Sequence, residues 1–152
     1  QVAHQTPDLT LMQLTGDTDA SLLFSNDGAV PGMFTRQGWE NQAREAIDRV
    51  VSQRSAEADW VLSDNRAHEQ ALSSDDLRAR LRERYFNDFA TAWLDFLNNM
   101  QWQPADSLSD SIDQLTLMAD ARQSPLSALM KAIAWQAATG KDALAVGGTV
   151  EQ

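Results

Sequence analysis

The chain has 152 residues, 43% hydrophobic and 22% charged, which is the size and composition of one ordinary globular domain and argues against disorder over most of its length. A formal net charge of −10 and a pI near 4.4 give a surface that repels the phosphate backbone, so nucleic acid is not an expected partner. The absence of cysteine removes disulfide frameworks, thiolate metal sites and cysteine nucleophiles.

Start and stop signals divide the chain into about five helices. Thr6-Pro7-Asp8 offers an N-cap, a proline at the first helical position and an acidic first turn, with Gly16 as a stop; Leu11, Met12 and Leu14 give this short helix something to bury. Residues 17–33 carry Gly, Asp, Asn, Ser and Pro at the density of a long loop, with a turn at Asn26-Asp27-Gly28 and anchors at Leu22, Leu23 and Phe24. A second helix starts at the N-cap Thr35, flanked by Phe34 and Trp39 as a hydrophobic staple. Its apolar series, Trp39, Ala43, Ile47, Val50, Val51, Ala58, Val61 and Leu62, follows the helical period.

For the third helix, Ser73 and Asp76 form a capping box and Leu72 and Leu77 a staple. One stripe runs through Leu77, Leu81, Tyr85, Phe89, Trp93, Phe96 or Leu97, and Met100; a second runs through Ala79, Phe86, Ala90 and Leu94. Two apolar sides predict a helix over 74–100 in the middle of a bundle. Pro104 ends it, and Ser107 with Asp110 opens a fourth helix bearing Leu108, Ile112, Leu115 and Ala119. The fifth opens at Ser124-Pro125, carries Leu126, Leu129, Met130, Ile133 and Ala137, and stops at Gly140. From Lys141 the helical pattern is gone, and Val146 to Val150 has the composition of a strand without a partner. The expected fold is therefore all-α, a bundle of about five helices with a long loop after the first and an irregular C-terminal tail.

Candidate chemistry is sparse. Gly140-Lys141 has the ending of a phosphate-binding loop, but Trp135 and Asp142 stand where that loop needs a glycine and a hydroxyl, so a helix C-cap followed by a solvated lysine is expected. His4 and His68 have no second ligand at helical spacing, so no metal is expected. Asp75, Asp76, Asp106, Asp110 and Asp113 gather at helix starts, where carboxylates satisfy free N–H groups and the macrodipole. Arg78, Arg80, Arg82 and Arg84 read as a solvated face paired with Asp75, Asp76 and Glu83; the functional alternative is an acidic neighbouring protomer or domain. Trp39, Trp60 and Trp93 fit core positions. Trp135 lies half a turn out of phase with its own helix and belongs either to an interface or against a segment outside the five helices; Trp102 is open in the same way.

No run approaches the roughly 18 apolar residues of a membrane span, and Gln1 to Asp8 lack a basic region leading into an apolar stretch. A start without methionine, and an end at Glu151-Gln152 just after Gly147-Gly148, predict a piece of a longer protein.

The stretch Val30-Pro31-Gly32-Met33-Phe34-Thr35-Arg36-Gln37-Gly38-Trp39 is similar to a pattern of the IcmF or TssM family. It is followed in the family's order by Asp59-Trp60-Val61-Leu62, by Leu81 through Tyr85 into Trp93-Leu94-Asp95-Phe96-Leu97, by Ser107-Leu108, and by Ser124-Pro125-Leu126. The resemblance covers residues 30–139 and marks Pro31, Gly32, Phe34, Thr35, Gly38, Trp39, Trp60, Tyr85, Trp93, Ser124 and Pro125 as family-motif positions. It implies the periplasmic helical segment of an inner-membrane core subunit of type VI secretion systems in a Gram-negative bacterium. It further implies contact with an outer-membrane lipoprotein through a β-rich region beyond Gln152, a small inner-membrane partner, and self-association of the full-length protein. The expected organisation is a helical periplasmic domain at 1–140 and a tail at 141–152 leading to that β-rich region. The expected function is structural, without enzymatic activity or cofactor. The alternatives are a helical adaptor outside secretion and, further off, a nucleotide-binding domain.

Overall fold

The computed structural model describes residues 5–16, 18–61 and 67–141, with the side chains of residues 58–61 and 67–73 left out. The expectations for His4 and His68, for the side chains of Ala58, Trp60, Val61, Leu62, Leu72 and Ser73, and for the tail after Lys141 lie outside the described residues.

Helix α1 (Leu11–Thr15) follows the two-residue strand β1 (Leu9–Thr10) and starts at Thr10. The Thr10 hydroxyl accepts from the Gln13 N–H at 3.4 Å while the Gln13 side chain accepts from the Thr10 N–H at 3.1 Å, a reciprocal cap. The start expected at Thr6-Pro7-Asp8 is therefore displaced. Asp8 is engaged elsewhere, its carboxylate accepting from the Gly32 N–H at 2.9 Å. The helix ends at Gly16, whose φ of 61° suits glycine alone. Leu11 and Leu14 are buried and Met12 is exposed.

The loop that follows is tied down by short antiparallel pairings. Strand β2 (Phe24–Ser25) pairs with β4 (Gln101–Trp102), and β3 (Ala29–Val30) pairs with β1, in register Leu9 to Val30. Leu23 and Val30 are completely buried, while Leu22 faces out. Asn26 shapes the turn by accepting from the Gly28 N–H at 2.9 Å and anchors it by donating to the Phe96 carbonyl at 2.6 Å.

A 3-10 turn at Gly32–Phe34 leads through α2 (Arg36–Gly38) and a π-helical turn at Trp39–Ala43 into α3 (Arg44–Val61). Ile47 and Val51 are buried on this run and Val50 is exposed. Helix α3 packs along α4 (Ala67–Asn98). Because α4 begins at Ala67, Ser73 lies inside it, and the expected box with Asp76 is not its start; the Asp76 carboxylate instead pairs with Arg80 at 3.1 Å. Tyr85, Phe89, Trp93 and Phe96 form its buried side. Of the second expected stripe, Ala79, Ala90 and Leu94 are exposed and Phe86 is half-buried. Helix α4 thus buries one face rather than two, since two alanines and one leucine offer too little apolar area to draw a second layer.

Helix α5 (Leu108–Ala119) is capped by Ser107, whose hydroxyl accepts from the Asp110 N–H at 3.1 Å. The turn after it is set by the Asp120 carboxylate, which accepts from the Arg122 and Gln123 N–H groups; those bonds hold its pKa below the ordinary aspartate value. Helix α6 (Pro125–Ala137) has Ser124 as N-cap and a fully buried Pro125 in its first turn. Its buried side is Pro125, Leu129 and Gln136, with Ala132 and Ile133 packed against the core, while Leu126 and Met130 are exposed. That face is rotated from the expected stripe because the polar Gln136 is drawn inward by a partner 100 positions away. The fold is mostly helical, with two small two-stranded sheets as its only strands among the described residues.

Candidate functional site

Pro31, Gly32, Phe34, Thr35, Gly38, Trp39, Tyr85 and Trp93 come together in one knot around the start of the α2–α3 run. Thr35 sits at its centre: its hydroxyl donates to the Gly32 carbonyl at 2.7 Å and accepts from the Gly38 N–H at 3.1 Å, fixing the turn on both sides. The two glycines are required by close approach. A Cβ at Gly32 would lie 1.8 Å from the Thr6 carbonyl oxygen, and one at Gly38 would lie 2.1 Å from the Gly32 carbonyl oxygen. Pro31 opens the 3-10 turn with its missing N–H at a position that needs none.

Helix α4 reads the free carbonyls of this turn through two aromatic side chains. Tyr85 Oη donates to the Met33 carbonyl at 2.5 Å and Trp93 Nε1 donates to the Phe34 carbonyl at 2.8 Å. Burial pushes the Tyr85 hydroxyl well above the ordinary tyrosine pKa, because an ionised phenolate there would lose its hydration. Phe34 and Trp39, expected to staple each other, both pack on Tyr85, with ring centroids at 5.7 and 5.1 Å. Phe86, Phe89 and Phe96 extend the aromatic series along α4. Ser124 and Pro125 lie apart from the knot, at the buried start of α6.

Helix α6 closes the knot from the other side. The buried Gln136 side chain accepts from the Arg36 N–H at 2.8 Å, and the Gln136 carbonyl accepts from Thr139 Oγ1 at 2.5 Å. Gly140, at φ 77°, touches Phe86 so closely that a Cβ there would lie 2.2 Å from Cζ. The stop expected at Gly140 comes earlier, since α6 ends at Ala137 with Ala138 as its C-cap, and Gly140 lies in the turn that follows, held against the core by Phe86. Gln136 and Asp8 are site residues that local sequence reasoning missed, since their partners are remote.

The two tryptophans left open are both at the surface. Trp135 is 54% exposed, with the Arg36 guanidinium 4.5 Å above its ring and that guanidinium paired with Glu40 at 3.1 Å. Trp102 is 47% exposed and meets Phe24 edge-on at 5.4 Å. The arginine run is paired largely within the fold: Arg78 bridges Asp48 and Asp75, Arg80 meets Asp76, and Arg84 meets Asp88 rather than the expected Glu83. Among the described residues no group of three or more His, Cys, Asp or Glu could hold a metal, and no helix is long and apolar enough to cross a membrane.

The residues of the knot thus form a turn, its cap and its aromatic clasp, an arrangement suited to rigidity. The family model described as "IcmF-related: Intracellular multiplication and human macrophage-killing" matches residues 1–138. A comparison with curated proteins gave no match. The fold is similar to a solved chain of "Type VI secretion system membrane core complex", with a TM-score of 0.73 and 42% identity over 98% of this chain. It spans only 29% of that longer chain. Since the matched model takes in both the knot and the α6 residue that closes it, the chain belongs to the IcmF-related family.

Proposed function

We propose that this chain is a structural segment of a type VI secretion membrane core complex, a periplasmic helical scaffold between inner- and outer-membrane components that works through contacts rather than chemistry. The observation that carries the reading is the 42% identity, across 98% of the chain, to a chain of such a complex. The knot supports it, because the motif residues serve rigidity, which a spacer under load requires. In this reading residues 1–140 form the helical domain and 141–152 lead to a β-rich region that grips the outer-membrane lipoprotein. A small inner-membrane partner and further copies of the full-length protein complete the assembly.

Purifying the membrane complex from cells whose full-length protein carries Trp39→Ala and Trp93→Ala tests the scaffold role. Loss of the assembled complex is expected, while Lys141→Ala leaves it intact. Assembly that survives the broken knot, or saturable ATP binding removed by Lys141→Ala, would overturn the proposal. Location is tested separately, since the segment has no cysteine. Ser109→Cys should react with a membrane-impermeant maleimide once the outer membrane is opened; protection until the inner membrane is lysed would place the segment in the cytoplasm.

A further inference from the structure

Arg82 stands apart from the other arginines of α4. Arg78, Arg80 and Arg84 each pair with a carboxylate, whereas the half-buried Arg82 has no ion pair among the described residues. Its Nε is the single buried side-chain polar atom without a hydrogen-bond partner among them. An N–H taken out of water and left unbonded is costly, so an acceptor is expected on it. Its own helix cannot supply one: the positions three and four residues away hold Arg78, Ala79, Tyr85 and Phe86, and the Tyr85 hydroxyl is engaged with the Met33 carbonyl. On the neighbouring run, Glu40, Glu45 and Asp48 are taken by Arg36, Arg49 and Arg78.

The turn after α6 lies within reach of it. Gly140, at φ 77°, rests on the tip of the Phe86 ring, and Phe86 is one helical turn, about 6 Å along α4, from Arg82. Two residues of chain span up to about 7 Å, and the second residue after Gly140 is Asp142, the first carboxylate beyond α6. We infer that residues 142–144 form a strap across α4, in which the Asp142 carboxylate accepts from Arg82 and Leu144 covers the exposed Ala79. An extended segment sends alternate side chains to one side about 6.6 Å apart, close to the rise of one helical turn. Asp142 and Leu144 therefore fall on neighbouring turns of α4, in the row that Gly140 opens at Phe86. Charge and reach select this occupant together: the row offers one unmatched cation, and the chain that leaves Phe86 brings one carboxylate to it. This inference does not depend on a role in secretion.

The chain has no cysteine, so a disulfide trap in the 152-residue chain reads the strap directly. Ala79→Cys with Leu144→Cys should close under mild oxidation, since the bond needs the two Cα atoms within about 7 Å. Thr91→Cys with Leu144→Cys should not, because Thr91 is exposed about two and a half turns from Arg82, on the other side of α4. In the Ala79 pair, Asp142→Asn or Arg82→Gln should slow closure about threefold or more, and the reversed pair Arg82→Asp with Asp142→Arg should restore it. By nitrogen-15 NMR, the Arg82 Nε–H should exchange with water more slowly in the unmodified chain than in Asp142→Asn. Equal trapping at Thr91, closure unaffected by both single variants, or a reversed pair that restores nothing would overturn the proposal. So would a shift of the Arg82 Nε–H signal of the unmodified chain on adding inorganic phosphate, since the guanidinium would then be open to a free anion or to an acidic partner.

Discussion

At position 32 even one methyl group meets the backbone of Thr6, and the segment leading into β1 cannot retreat without breaking the bond between Asp8 and the Gly32 N–H. Gly32→Ala should therefore cost at least about 2 kcal/mol, more than an ordinary surface change, as read from denaturant melts. Tyr85 offers a cleaner probe, because it is the chain's one tyrosine and its ionisation can be followed alone by absorbance. Its folded pKa is raised by burial, so below the unfolded value of 10.0 the stability from keeping it neutral is fully present. As pH rises past that value the unfolded state loses a proton that the folded state retains, and stability falls toward the raised folded pKa. Native Tyr85 should titrate only above the unfolded chain, and Tyr85→Phe should remove that alkaline loss while costing about 1 kcal/mol at neutral pH through the unmet Met33 carbonyl. Residues with local duties were legible in the sequence: Thr35, Ser107 and Ser124 cap the helices that follow them, as their spacing predicts. Asp8 and Gln136 were not, since each answers a group that is distant along the chain.

On α4 the two sides of one helix make opposite predictions. Trp93 is buried and hydrogen-bonded to the Phe34 carbonyl, so Trp93→Ala should cost about 3 to 5 kcal/mol. Leu94, the next residue, faces solvent, and Leu94→Ala should stay within about 0.5 kcal/mol. Equal losses by thermal melting would mean that α4 is enclosed on both sides after all. Periodicity in the sequence gives the apolar face of a helix but not whether anything covers it, which is why the stripes of α5 and α6 read as core and stand partly in water. It also hides the rotation of α6, where a buried glutamine replaces Met130 on the inner side. The two-residue strands had no chance of being read, because a pairing that short carries no period.

For the molecule as a whole, the helical architecture was visible from caps and stripes, while the ties that close it were not. The division proposed between helical spacer and β-rich grip is checked by calorimetry with purified outer-membrane lipoprotein. Residues 1–152 should show no binding and a version extended beyond Gln152 should bind; micromolar or tighter binding by the shorter chain would move the lipoprotein site onto the helices. A different consequence follows from the bond between Arg36 and Gln136, which spans 100 positions. Translation at about 5 to 20 residues per second puts roughly 5 to 20 seconds between the two residues. Individual helices form within about a microsecond, so the delay belongs to the ribosome rather than to the fold. Throughout that interval the Pro31–Gly38 turn exists as sequence without the side chain that completes it, and a nascent chain interrupted before Gln136 presents an open turn to any protease it meets.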